Sequence, residues 1–276
     1  MKKKYDAILI DSFTHDTRLI SHGECSLKVI KEFNDYDIKQ INIGVKNNLQ
    51  ASSNKILYTA LNSIHPSETS LISIPLSSKY FNSDVHQKIN DLSKEGLIFI
   101  SSYMNNYVGK SYPASYSNVT GVKGISFGND RKLKKLSQIY YFNDTPTIFF
   151  KNNQCDFFYG NSKACALATR YFLNKRSDQI CATDLYNHNK NPSKHYMKLV
   201  IKYIENITGK KIEMTNKDIY DLPLFSTSIG INRYNIDDLL DFIIKKNPTL
   251  LKKGFLKLDD ISTIRKLTNI IGENNV

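Results

Sequence analysis

Ala7-Ile8-Leu9-Ile10-Asp11-Ser12 is an apolar run that closes on an aspartate, and eleven positions beyond it Ser21-His22-Gly23 opens a segment of helical spacing. A short apolar block bounded by polar residues reads as a buried strand. Working outward, the same alternation repeats. Strands are predicted over 6–11, 38–45, 71–76 and 97–103, and helices over 23–33, 53–64 and 84–94; the second helix rests on Leu57, Ala60, Leu61 and Ile64. Residues 122–158 read as further strands and loops, with a short apolar run at 147–150. Strands alternating with helices predict an α/β fold with a mainly parallel sheet flanked by helices. Such sheets take their ligands at the carboxyl ends of the strands. Asp11 and Asn105 both follow strand-like runs, so both are expected on that rim.

Much later in the chain comes Gly160-Asn161-Ser162-Lys163-Ala164. Aspartate, histidine and serine are the parts of a nucleophilic triad. A serine hydroxyl needs a base to take its proton, and histidine suits that task because its unperturbed pKa lies near neutrality. A carboxylate fixes the imidazole tautomer and stabilises the imidazolium. Ala164, Leu167, Ala168 and Tyr171 have helical spacing, so Ser162 is expected at a helix start, where unbonded N–H groups and the positive dipole end face a developing oxyanion.

In this order the stretches resemble the subtilase (subtilisin-like serine peptidase) family, over about residues 5–175. Ile8-Leu9-Ile10-Asp11-Ser12 resembles its aspartate strand and His22-Gly23 the start of its histidine helix. Leu71-Ile72-Ser73-Ile74-Pro75-Leu76-Ser77-Ser78 is similar to the strand along which the substrate peptide lies. The run from Gly96 to Asn105 is similar to the strand ending in the oxyanion asparagine, and Tyr112-Pro113-Ala114-Ser115-Tyr116-Ser117-Asn118-Val119 resembles the stretch that follows it. Gly160-Asn161-Ser162-Lys163-Ala164 resembles the serine motif. The resemblance implies Asp11 as orienter, His22 as general base and acid, Ser162 as nucleophile, Asn105 as oxyanion donor, and Leu76, Ser77 and Ser78 as substrate-binding residues. Several neighbours depart from the family's pattern: Phe13 and Glu24 replace small residues, Asn161 replaces a threonine, Ala166 a proline, and Ser77 and Ser78 two glycines. The catalytic types stay intact, and a specialised groove is expected.

The chain has 276 residues, 41% of them hydrophobic, which suits one large domain or a medium and a small one. Its net charge of +12 is spread along the chain, with 23 basic and 15 acidic residues over 1–178. Arg131-Lys132-Leu133-Lys134-Lys135 is the densest basic run and reads as a solvated face, so nucleic acid is not an expected partner. No apolar run approaches the ~18–20 residues that cross a bilayer. Met1-Lys2-Lys3-Lys4 leads into the first strand, and a cytoplasmic protein with neither signal peptide nor pro-domain is expected. Cys25, Cys155, Cys165 and Cys181 form no C-x-x-C pair, and the histidines lack ligand spacing, so neither a metal nor a cofactor is expected.

A catalytic domain is read over 1–178, a linker over 179–194, and a small all-α bundle over 195–276. Three stripes carry the bundle: Val200, Tyr203, Ile204 and Ile207; Ile236, Leu239, Leu240 and Ile243; and Ile261, Ile264, Leu267 and Ile271, with Ser262 as candidate N-cap. This end resembles an acyl or peptidyl carrier protein, with Arg233 standing where the phosphopantetheine serine would be. The resemblance implies a docking face for a protein partner without a loaded cofactor. The expected function is that of a serine hydrolase, an endopeptidase processing a peptide or protein precursor. Two alternatives are an inactive subtilase-like binding protein, and a hydrolase or acyltransferase acting on carrier-bound substrates.

Overall fold

A computed structural model describes residues 4–14, 16, 19–32, 34–44, 53–125, 133–151, 154–177, 193–212, 220–221, 223–224, 229–232 and 234–272. Contacts divide the chain into two units, residues 1–146 with 156–182, and residues 147–155 with 183–276.

The first unit is built on a seven-stranded sheet. Its strands are β1 (Ala7–Asp11), β2 (Ile38–Asn42), β3 (Leu71–Ile74), β4 (Ile98–Ser102), β5 (Val119–Ile125), β6 (Leu133–Leu136) and β7 (Ile139–Asn143). Their order is β2-β1-β3-β4-β5-β7-β6, parallel throughout except for β6, which runs antiparallel to β7. The helices are α1 (His22–Lys31), α2 (Ser53–Asn62), α3 (Ser83–Lys94) and α4 (Gly160–Ser177). This is the mainly parallel, helix-flanked α/β sheet that the strand–helix alternation predicts. After β2 the chain crosses to the other side of β1, so the strand order reverses between β1 and β3. A parallel sheet opens a crevice at such a reversal, at the carboxyl ends of the strands.

Side-chain alternation sorts the two faces. Ile8, Ile10, Ile72, Ile74 and Phe99 pack against Leu57 and Leu61 of α2, Ile64 just beyond it, and Val85, Ile89 and Leu92 of α3. The opposite face carries smaller residues. There the Thr169 hydroxyl donates to the Ser73 hydroxyl at 2.8 Å, and Cys165 Sγ lies 3.9 Å from the same oxygen. Ala164, Cys165, Ala166, Leu167 and Ala168 are all buried, so small side chains let α4 lie close against the sheet. Arg170 of α4 is buried too; it donates to the Val29 carbonyl at 3.2 Å and pairs with Glu32 at 2.5 Å, which fastens α4 to the end of α1.

The second unit contains β8 (Thr147–Lys151), α5 (Lys194–Thr208), α6 (Ile236–Lys246), α7 (Thr249–Lys253), β10 (Phe255–Lys257) and α8 (Ile264–Gly272); β9 (Gln154–Phe158) straddles the division. The first two predicted stripes fall on α5 and α6; of the third, Ile264, Leu267 and Ile271 fall on α8, while Ile261 ends the short 3-10 turn before it. Two expectations differ from what is found. The unit is not purely helical, because β8 pairs antiparallel with β10, Ile148 opposite Leu256, and residues 147–155 belong to this unit. Thr263, not Ser262, caps α8, since its hydroxyl accepts the Lys266 N–H at 3.2 Å. The predicted linker, apart from its last two residues, and the phosphopantetheine position at Arg233 lie outside the described residues. No described helix is long and apolar enough to cross a membrane.

Candidate active site

Asp11 is the last residue of β1 and is fully buried. A buried carboxylate is costly unless it is hydrogen-bonded, and this one is. Oδ1 accepts the Ser12 N–H at 2.7 Å and lies 2.7 Å from His22 Nδ1, while Oδ2 accepts the Ser26 hydroxyl at 2.8 Å. Because an ionised carboxylate only accepts, Nδ1 carries the imidazole proton and Nε2 is left as the basic nitrogen. The Phe158 ring meets His22 edge-on, with centroids 5.3 Å apart.

His22 is held by the way α1 begins. Ser21 is the N-cap; its oxygen accepts the Glu24 N–H at 3.2 Å, and Glu24 Oε2 accepts the Ser21 N–H at 2.7 Å. This capping box explains a glutamate directly after His-Gly. The Gly23 N–H donates to the Ser12 carbonyl at 2.8 Å, joining the histidine helix to the aspartate strand. A Cβ on Gly23 would stand 2.6 Å from the Phe13 ring, so the bulky residue after Ser12 fills the space that the glycine leaves. Asn42, at the end of β2, pins the same loop: Oδ1 accepts the N–H of Phe13 at 2.9 Å and Nδ2 donates to its carbonyl at 3.0 Å.

Ser162 lies in the first turn of α4. Gly160 opens that helix at φ +71, and a Cβ there would stand 2.9 Å from Asn105 Oδ1, so both backbone and space require glycine. Asn105 Oδ1 accepts the Asn161 N–H at 2.9 Å; its Nδ2 has no protein acceptor among the described residues. The Asn161 side chain is satisfied at both ends, Oδ1 taking the Gly124 N–H at 2.7 Å and Nδ2 reaching the Tyr103 carbonyl at 2.9 Å. It thereby ties the turn that carries Ser162 to β5 and to the chain leaving β4. Lys163 is buried, and its ammonium donates to the Thr145 carbonyl at 2.5 Å.

The residues singled out from sequence thus fall into two bonded groups, Asp11 with His22, and Asn105 with the turn that carries Ser162. Among the described residues, no hydrogen bond joins Asp11 or His22 to Asn105 or Ser162. The Ser162 hydroxyl donates to the Pro75 carbonyl at 2.9 Å. Pro75 leads into Leu76, Ser77 and Ser78, which with Ser12, Ile43, Leu57, Tyr112 and Pro113 line a cavity of about 220 Å³ in the crevice between β1 and β3. Ser78 exchanges two backbone hydrogen bonds with Tyr112, at 2.8 and 2.7 Å, and the Leu76 carbonyl accepts the Ser101 hydroxyl at 3.3 Å. Between them, the Ser77 N–H and C=O make no hydrogen bond to any described residue.

Sequence reading missed Ser26, Asn42, Asn161 and Phe158. Ser26 alone left a signal, sitting four positions after His22 on the same helix face. Burial pushes the Cys25 and Cys165 thiols up to about 12, so neither is a thiolate near neutral pH; Cys155 and Cys181 have no described side chain. Among the described residues, no three His, Cys, Asp or Glu side chains converge as a metal site would require.

No protein-family model matches the chain. No curated protein matches it either. Among solved structures it is similar to the prenylagaramide maturation protease PagA, at 14% identity and a TM-score of 0.48, over 72% of this chain and 83% of that one.

Proposed function

We propose that the chain is a serine peptidase in which Asp11, His22 and Ser162 act together and Asn105 supplies an oxyanion donor. The observation that carries this reading is the buried Asp11 carboxylate 2.7 Å from His22 Nδ1, its other oxygen taken by Ser26. Such a pair leaves Nε2 basic and aimed by its partner, which is the condition for a general base. A rotation about the serine Cα–Cβ bond, of the kind staggered side chains make, takes the hydroxyl off the Pro75 carbonyl. Nε2 then receives the proton as Oγ attacks the peptide carbonyl. Asn105 Nδ2 and the Ser162 N–H, one of the unpaired donors of a helix start, stabilise the oxyanion. The imidazolium returns its proton to the leaving amine, and water completes the second half. The free N–H and C=O of Ser77 suit an extended peptide laid against them as an added strand.

The test is cleavage of a mixed peptide library by the intact chain, with new termini read by mass spectrometry. Cleavage that disappears in Ser162→Ala supports the proposal; cleavage that persists in that variant overturns it. A second reading, a binding protein that holds a peptide without cutting it, draws on the Ser162–Pro75 hydrogen bond. It predicts peptide binding with no new termini, and no reaction of Ser162 with an active-site-directed phosphonate.

A further inference from the structure

Lys163 is one peptide bond from Ser162, and the reaction steps proposed for that serine make no use of it. It is only 1% exposed. A lysine is almost never buried so completely unless its charge is paired or hydrogen-bonded. Here the ammonium donates to the Thr145 carbonyl at 2.5 Å, a short charge-assisted hydrogen bond. Its place in the helix adds a second penalty. Gly160 is the first residue of α4, so Lys163 stands in the first turn. Unpaired N–H groups make that end of a helix positive, and the dipole opposes a cation there. Stability alone would favour an apolar side chain of similar volume at this position.

What the ammonium grips gives the placement a purpose. Thr145 belongs to the turn that leaves β7. Asn143, 2% exposed, shapes that turn: its Oδ1 accepts the Thr145 N–H at 3.2 Å and the Thr145 hydroxyl at 2.8 Å. The Asp144 N–H donates to the carbonyl of Ile125, the last residue of β5, at 3.2 Å. Two carbonyls of the turn then meet the start of α4. That of Asp144 takes the Gly160 N–H at 3.3 Å, and that of Thr145 takes Lys163. Asn161 is held by Gly124, Tyr103 and Asn105. The residues on either side of Ser162 are therefore fixed to chain at or just beyond strand ends. Among these ties, Lys163 alone brings a charge. When Oγ attacks a carbonyl, an anion forms beside this turn, and a fixed cation removed from water favours an anion more strongly than a solvated one does.

We propose that Lys163 is a positioning residue for the reaction: its ammonium locks the turn that carries Ser162 onto the turn after β7, and its buried charge favours the anion formed at that serine. The proposal rests on the peptidase reading of the site. The same charge that opposes folding then speeds the chemistry.

Lys163→Met tests it, because methionine keeps most of the side chain's volume and removes both charge and donor. Labelling of Ser162 by a fluorophosphonate is followed over a range of probe concentrations in the parent chain and in the variant, and melting temperatures are measured on the same samples. In Lys163→Met the limiting labelling rate is expected to be about tenfold to a hundredfold lower, with the half-saturating probe concentration unchanged. The melting temperature is expected to equal or exceed that of the parent. An unchanged limiting rate overturns the proposal. A lower rate with a melting temperature more than about 10 °C below the parent's overturns it too, because Lys163 would then only fasten the fold. Absence of Ser162 labelling in the parent chain removes the peptidase reading and the proposal with it, whereas labelling that Lys163→Met does not slow removes the proposal alone.

Discussion

Asp11 shows how much a single side chain is asked to do. Its two oxygens serve Ser12, His22 and Ser26 with nothing left to solvent. Removing the charge while keeping the shape isolates its electrostatic part. Asp11→Asn would offer Nδ1 an amide N–H instead of an acceptor and favour the wrong tautomer, with Nε2 protonated. A fall of about 10⁴-fold in the rate of Ser162 phosphonylation is expected, by analogy with the effect of the same change in a well-studied triad. Thermal unfolding is expected to shift much less than that rate loss implies. An unchanged labelling rate in the folded variant would remove Asp11 from the mechanism.

At the scale of elements, the site depends on where strands stop and helices start. β1 delivers Asp11, the capping box starts α1 at His22, and Gly160 starts α4 two residues before Ser162. The glycine at 23 belongs to this scale because it lets the helix start touch the loop after β1. In Gly23→Ala the new methyl would meet the Phe13 ring, and overpacking of this kind costs about 1–3 kcal/mol. Chemical denaturation should show that loss, and Phe13→Ala in the same chain should recover part of it. Another link is the Lys39–Glu68 pair, at 2.7 Å, which bonds β2 to the turn before β3. The Lys39 hydrogen bond lowers the Glu68 pKa from its ordinary 4.5. A carboxyl with a depressed folded pKa adds stability above its unfolded pKa and loses it as pH falls through the folded value. The stability difference between the parent chain and Glu68→Gln should therefore be largest near neutrality and shrink below about 4.5. Melting temperatures across that range check it; a difference independent of pH would contradict the assignment.

At the scale of the whole molecule, the alternation of apolar strands and amphipathic helices was legible in the sequence because period and burial go together. β1, β3 and β4 run within one or two residues of their expected ends, and so do α1, α2 and α3. The order of the sheet was less legible. That β7 lies beside β5, and that β8 pairs with β10 a hundred positions later, depends on contacts that no local pattern encodes. At the site, residue types were readable and rotamers were not. Asp11, His22, Asn105 and Ser162 were singled out by resemblance and expected near element ends, but the choice of Pro75 by the Ser162 hydroxyl follows from packing around one torsion. Asn161 looked like a departure in its motif; in the fold it is the clamp between α4, β5 and the end of β4.

If Asp11, His22 and Ser162 act as one catalytic unit, the kinetics of Ser162 phosphonylation must depend on His22. A fluorophosphonate is reacted with the intact chain, the adduct is mapped by mass spectrometry, and the rate is compared with that of His22→Ala. A single adduct on Ser162 is expected, with at least a thousandfold slower reaction without His22. An adduct elsewhere, or a Ser162 rate that is the same with and without His22, would contradict it.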